Sequence, residues 1–270
     1  MDRRQLLTAI AGSVVVSLAG CAAQPAREYV DPTLPAPGRP VPKSPAPPML
    51  VEGAVRATAP LIVKHRIPGG TITALPGTGA LMAWTVDDGA DSDVVAAYAK
   101  FAADSGIRLT FFLNGKYDSW TANAPALRPL VESGQVQLGN HTFDHADLTS
   151  LSDSGIVDQL TRNSTFIKNT YGVHAAPFYR PPYGYYNARV GRVASSIGYI
   201  APVMWYGSLS DSGLITQDQV VSFAQQWFLP QHIVIGHANF PPVTHVYPQL
   251  LDILHERKLH TVTLRDVFSS

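Results

Sequence analysis

From about Pro68 to the C-terminus, short apolar runs alternate with longer amphipathic ones, and this alternation constrains the fold more than any other feature. Leu81 to Val86, Leu109 to Leu113, Val136 to Leu138, Ala201 to Met204, His232 to Gly236 and Thr261 to Leu264 read as strands. Between them, Asp93 to Ala103, Ala124 to Val131, Ser154 to Asn169, Ala188 to Ser196, Gln217 to Trp227 and Tyr247 to Glu256 read as helices. Val94, Val95, Tyr98 and Phe101, for example, share one side of the first. Pro177 to Gly184 forms an extended Pro-rich turn. Strand–helix alternation over about 190 residues implies parallel βαβ units, in an open sheet or a barrel. Both arrangements gather ligands at the carboxyl ends of the strands, so the informative residues should sit just after the apolar runs.

The first sixty residues follow a different rule. Arg3 and Arg4 precede an apolar run from Leu6 to Ala19 that is too short for an ordinary membrane span and has the order of a secretory signal. Its end, Leu18-Ala19-Gly20-Cys21, resembles the lipobox of bacterial lipoproteins. That resemblance implies cleavage after residue 20 and lipid on Cys21. It also implies an exported chain, anchored through that lipid on the outer face of the cytoplasmic membrane or in the cell envelope. Arg3-Arg4 also resembles a twin-arginine signal, which leaves the export route open. Nearly half of the 22 prolines follow before residue 61, interleaved with small residues that build no core. Residues 21–67 therefore read as a Pro-rich linker ending in a loosely packed lead-in from Met49 to Ile67, and residues 68–270 as the folded domain.

Composition narrows what that domain does. The 20 basic and 20 acidic side chains of the whole chain cancel, whereas a nucleic-acid partner asks for a basic excess that neutralises phosphates. One cysteine allows neither an internal disulfide nor a thiolate zinc cluster, so a metal would rest on His, Asp or Glu. Asp87-Asp88-Gly89 ends the first strand, and two adjacent carboxylates repel unless a cation or a shared proton relieves them. His141-Thr142-Phe143-Asp144-His145 follows the third strand, and on a helical turn its two imidazoles share one face at ligand spacing. Either cluster alone is common in solvated turns. Brought together, two histidines and one carboxylate make a divalent site open to water, with the second carboxylate left over as a base. Arg180, in Tyr179-Arg180-Pro181-Pro182-Tyr183-Gly184, has a rigid backbone from which to hold an ionised carboxylate. His237 ends the strand Ile233-Val234-Ile235-Gly236, where a general acid is wanted. His65, His174, His232, His245, His255 and His260 lack such company and read as surface or packing residues.

Taken in order, Thr85-Val86-Asp87-Asp88-Gly89, His141 to His145, Arg180-Pro181-Pro182-Tyr183 and Ile235-Gly236-His237 resemble the successive motifs of carbohydrate esterase family 4, the NodB-homology polysaccharide deacetylases. The resemblance runs from about Leu81 to the C-terminus and implies an α/β fold, a distorted (β/α) barrel. It implies that Asp88, His141 and His145 bind a divalent metal, usually zinc (Zn2+), with cobalt or another divalent ion as alternatives. By the same resemblance Asp87 is the base, oriented by Arg180, His237 is the acid, and the Tyr183 backbone amide holds the oxyanion. A further motif of the family ends in Asp-Trp, the Asp tuning the catalytic His and the Trp walling the groove. Here Asp211 keeps the first place, but Ser212 stands in the second. The expected activity is removal of N-acetyl groups from an N-acetylglucosamine polymer of the cell envelope, peptidoglycan or chitin-like. The alternatives are an O-acetyl polysaccharide esterase and a glycan-binding lipoprotein without catalysis.

Overall fold

The computed structural model describes residues 62–269, so the signal segment 1–20, Cys21 and the linker as far as residue 61 lie outside the described residues. Among those described, β1 (His65–Arg66) precedes β2 (Leu81–Asp88), α1 (Ser92–Ser105), β3 (Leu109–Leu113), α2 (Ser119–Ala122), α3 (Ala124–Glu132) and β4 (Val136–Asn140). Next come α4 (Asp153–Tyr171), β5 (Phe178–Tyr179), α5 (Ala188–Ser196), β6 (Ala201–Pro202), β7 (Gly207–Ser208) and α6 (Gln217–Trp227). The chain then forms β8 (Ile233–His237), α7 (Tyr247–Glu256), β9 (His260–Thr261), α8 (Leu264–Val267) and β10 (Phe268–Ser269).

Eight strands form one parallel sheet in the order β6-β5-β4-β3-β2-β8-β7, with β9 paired to the start of β2, and β1 and β10 form a separate pair. β6 and β7 end this path without pairing to each other, so the curled sheet is a distorted (β/α) barrel left open on one side. β2 lies in the middle, which explains why its apolar run is continuous: a parallel strand is covered on both faces. Met82, Trp84 and Val86 face the helices and pack with Tyr98, Phe101, Phe111 and Phe228. Ala83 points the other way, into the barrel, with Phe112, Phe178, Val203 and Ile233. Trp84 is fully buried, and its truncation to Ala would cost about 3–5 kcal/mol in lost burial and residual cavity.

The helices start and stop on local signals. The Asp91 side chain accepts from the N–H groups of Asp93 and Val94 to begin α1, and Gly106 at φ 75 ends it. Thr216 and Gln219 form a capping box at α6. Three departures from the expected elements have physical causes. The strand expected at Thr261 to Leu264 stops at Thr261, because Thr263 and Asp266 form a capping box that starts α8. Of the lead-in expected to pack loosely, Ile62 and Ile67 join the inner core, and β1 pairs with β10. β2 runs two residues past Val86, through both aspartates.

Register then places the chemistry. Asp87 pairs with Phe112 on one side and His237 on the other, Leu113 with Asn140, and Asn140 with Tyr179. The carboxyl ends of β2, β3, β4, β5 and β8 therefore stand at one level, and the residues after them share one mouth.

Candidate active site

Period-two alternation points Thr85 and Asp87 inward with Ala83. Arg180, fully buried, meets them there: its Nη1 donates to Asp87 Oδ1 at 2.6 Å and to Thr85 Oγ1 at 2.9 Å. Nε donates to the Val203 carbonyl and Nη2 to that of Met204, while the Phe112 ring covers the guanidinium at 4.3 Å. Burial pulls the Arg180 pKa below its ordinary value, with the Asp87 charge and hydrogen bond working against it. The ion pair leaves Asp87 one oxygen, Oδ2, 3.5 Å from His141 Nε2.

Strict alternation would send Asp88 to the helix side. Instead its backbone turns to φ 69, a left-handed conformation costly for a residue with a Cβ, and its carboxylate stays at the mouth. The turn is secured from below: the Trp120 indole N–H donates to the Asp88 carbonyl, and Gly89, at φ 96, leaves room for that indole where a Cβ would collide with it. Asp88 Oδ1 lies 3.4 Å from His141 Nε2 and 3.3 Å from His145 Nε2. His141 Nδ1 donates to the Arg180 carbonyl at 2.7 Å, which leaves the Nε2 lone pair free. The two imidazoles do not lie on a helical turn as expected. Their loop bends through positive φ at Thr142 (68) and His145 (59), held by Asn114, whose amide donates to the carbonyls of His141 and Thr142.

These three side chains suit a divalent ion. One ligand atom from each of Asp88, His141 and His145 lies within 4.8 Å of the others, and Asp88 Oδ1 is a buried acceptor with no hydrogen-bond donor. Separations of 3.3 and 3.4 Å match the edge of a tetrahedron with bonds of about 2.0–2.1 Å, the length typical of zinc to imidazole or carboxylate. Burial, and next the neighbouring His141, depress the His145 pKa to about 4, so its imidazole is neutral and ready to ligate at pH 7. Burial raises the Asp88 pKa, but His141, His145 and His237 and the Asn239 amide outweigh it and leave it lowered.

Across the mouth, His237 Nδ1 donates to Asp211 Oδ1 at 3.0 Å, leaving Nε2 toward a cavity of about 570 Å³. Burial lowers the His237 pKa, yet the Asp211 hydrogen bond and charge, with Asp87 and Asp88, raise it overall. Tyr183, at φ 61, and Gly184 line the same cavity, and the Tyr183 ring lies 4.6 Å from that of His145. Ser212 is there too, and the indole in the wall is that of Trp205, packed against Gly184. A hollow of similar size, about 580 Å³, at Lys64, Arg108 and His174 lies at the opposite ends of the strands, where Arg108 is already paired with Asp266.

All the expected site residues from Asp87 to His237 thus meet in one place. Sequence reasoning missed Asn239, which donates to Asp88 Oδ2 at 2.7 Å and accepts from the Ala90 N–H. A polar residue two places past a strand-ending histidine was the available signal. Asn114, just past β3, carried the same signal.

The strand ends of this open parallel barrel thus gather an acid pair, two histidines, a buried arginine and an Asp–His couple. Residues 76–202 match the model of the polysaccharide deacetylase family. It is 30% identical over 153 residues to a chitin deacetylase of Pestalotiopsis sp, covering 56% of this chain and 50% of that protein. Its fold is similar to that of the chitin deacetylase of Colletotrichum lindemuthianum, with TM-score 0.66 and 21% identity over 74% of this chain and 93% of the other. A carbohydrate esterase family 4 pseudoenzyme from Bacillus anthracis is also similar in fold, with TM-score 0.65 and 18% identity over 74% and 69% of the two chains. The chain spans about half the length of the curated relatives it matches.

Proposed function

We propose that the chain is a metal-dependent hydrolase that removes N-acetyl groups from an N-acetylglucosamine-containing polysaccharide of the cell envelope, peptidoglycan or a chitin-like polymer. The observation that carries this reading is the placement of the Arg180–Asp87 pair and the Asp211–His237 pair around the Asp88, His141, His145 cluster. A glycan binder without catalysis needs neither couple.

Asp88, His141 and His145 would hold a divalent ion, zinc foremost, which when bound would acidify a water and polarise the acetyl carbonyl. Asp87, fixed through Oδ1 by Arg180, takes the proton of the attacking water on Oδ2. As the oxygen adds to the acetyl carbon, negative charge grows on the carbonyl oxygen, and the Tyr183 amide N–H is the donor assigned to it. The C–N bond then breaks while His237 gives its Nε2 proton to the departing nitrogen, so acetate and a free amino sugar result. An amine leaves poorly without that proton, and the Asp211 hydrogen bond and charge, with Asp87 and Asp88, outweigh burial and raise the His237 pKa, which shifts it toward the acid form. Trp205 takes the wall position that Ser212 leaves open.

The signal segment 1–20 and Cys21 place the enzyme outside the cytoplasm on a lipid anchor, with residues 21–67 as tether and lead-in; this rests on the lipobox resemblance alone. The test is acetate release from acetylated chitooligosaccharides and from peptidoglycan by the purified full-length chain, with Asp87→Asn as control and O-acetyl xylan as the competing substrate. Release from the N-acetyl substrates above the control supports the proposal. Release from the xylan alone would replace it with the esterase, and release from none with the glycan binder.

A further inference from the structure

Asp211 has two oxygens, and the His237 contact uses one. Oδ1 accepts from His237 Nδ1 at 3.0 Å, while Oδ2 is buried with no donor. Asp211 is only 3% exposed, so bulk water does not reach that oxygen. On the helix-facing side of β8 stand two phenols in the same condition. The hydroxyls of Tyr98 on α1 and Tyr247 at the start of α7 are buried and without partners, and their rings lie 5.4 Å apart. The Trp84 indole on β2 stands beside Tyr98 as a donor toward its oxygen, which leaves the phenol's own O–H without an acceptor.

Gly236 shows where the phenol and the carboxylate meet. A Cβ on Gly236 would lie 3.4 Å from Tyr98 Oη and 3.5 Å from Asp211 Oδ2, so the two oxygens flank the same bare Cα. One is a hydroxyl that can donate; the other belongs to a carboxylate that, when ionised, only accepts. Packing alone does not call for either hydroxyl, since phenylalanine would fill both places, and a buried hydroxyl without a partner is a net loss. Burial first of all, and also the nearby Asp211 charge, hold both phenols well above their ordinary pKa, which keeps them as O–H donors.

We infer that Tyr98, seconded by Tyr247, is a positioning residue for the acid side of the site. Its hydroxyl serves Asp211 Oδ2 across Gly236, directly or through one buried water, and thereby fixes the carboxylate that holds His237. Tyr98 touches no substrate and acts only through Asp211. The inference stands on the placement of two unpartnered buried oxygens about Gly236; its consequence for turnover rests on the deacetylase reading.

Two measurements on the full-length chain separate these. The first needs no activity: the proton on His237 Nδ1 is observed by NMR in the wild type, Tyr98→Phe, Tyr247→Phe and Asp211→Asn. Its resonance is expected to move in Tyr98→Phe and, to a smaller extent, in Tyr247→Phe, with the largest change in Asp211→Asn. The second is kinetic: Tyr98→Phe should lower kcat about three- to tenfold, the worth of one hydrogen bond, with KM unchanged. That loss should vanish when Asp211→Asn is already present. An unmoved His237 resonance in a folded Tyr98→Phe, or an equal kinetic loss in the Asp211→Asn background, overturns the inference. If Tyr98→Phe does not fold, Tyr247→Phe carries the same two readings. If the wild type releases no acetate, the deacetylase reading fails, while the NMR comparison still decides the contact.

Discussion

The two sides of the mouth are built on different terms. On the β2–β4–β5 side, Asp87 and Arg180 are locked: four hydrogen bonds hold the guanidinium, both side chains are almost fully buried, and Asp87 sits on the central strand β2 while Arg180 directly follows β5. On the β7–β8 side, Asp211 comes from a connecting segment, Ser212 beside it is exposed, and the carboxylate's second oxygen is buried without a donor near the Tyr98 hydroxyl. The first side is set by ion pairing in low dielectric, where losing one partner strands the other. The second rests on one charge-assisted hydrogen bond, His237 to Asp211 at the edge of the cavity, whose loss costs less than stranding a fully buried charge. Substitutions on the first side should therefore act nearly all or none, and those on the second should grade activity.

The largest effect expected is on the locked side. Asp87→Asn removes the base but keeps the shape, and kcat for acetate release should fall about 10²–10⁴-fold, with metal content by elemental analysis unchanged. Arg180→Met leaves Asp87 buried without its cation, so beyond the lost activity, denaturant unfolding should show a loss of about 3–5 kcal/mol. An Arg180→Met protein of wild-type stability would erase the distinction between the two sides. Next in size is the metal cluster. Asn239→Ala frees Asp88 Oδ2, and metal affinity measured by competition with a chelator should weaken about 10–100-fold. Since His145 is depressed to about 4, protons should compete with the metal there only as pH falls toward that value, and affinity should be nearly flat above it on account of this ligand.

A smaller effect is expected at Asp211. Burial pulls the His237 pKa down and Asp211 pulls it up, so Asp211→Asn leaves burial to dominate and the pKa falls. His237 then loses its acid proton at lower pH, and the alkaline limb of kcat/KM should move to lower pH, with about a tenfold loss on the alkaline side and little at acid pH. An unmoved limb would show that another group sets it.

Much of this was legible from sequence because the strong signals are local. Apolar period and local start signals fix α5, α6 and α7 to the residues expected, since each has a buried face and begins on its own signal, a side-chain cap at α5 and α6 and a proline in the first turn of α7. The order of acid, histidine, arginine and histidine after successive strands marks the site, because a parallel barrel brings successive strand ends together. What sequence did not show depends on contacts far apart along the chain or on backbone conformation. The positive φ of Asp88 and His145 overrides both strand alternation and helical spacing, and no periodicity encodes it. Tyr98 reads as one apolar position of an amphipathic helix; only the folded chain places its hydroxyl across Gly236 from Asp211.

The smallest expected effect concerns the wall. Ser212 offers a sugar ring almost no apolar surface, whereas Trp205, from the segment between β6 and β7, lines the cavity and rests against Gly184. The indole lies 5.7 Å from the Arg180 guanidinium, but Arg180 is already held by four hydrogen bonds, so the locked pair does not depend on it. Trp205→Ala should therefore raise KM for chitooligosaccharides about three- to tenfold through lost apolar contact while leaving kcat near wild type. A restored wall should act in the opposite sense: Ser212→Trp, placed in the Trp205→Ala background, should return KM toward its starting value. If Trp205→Ala instead lowers kcat with KM unchanged, the indole belongs with the machinery that fixes Arg180, and the two sides of the mouth are less independent than their hydrogen bonds indicate.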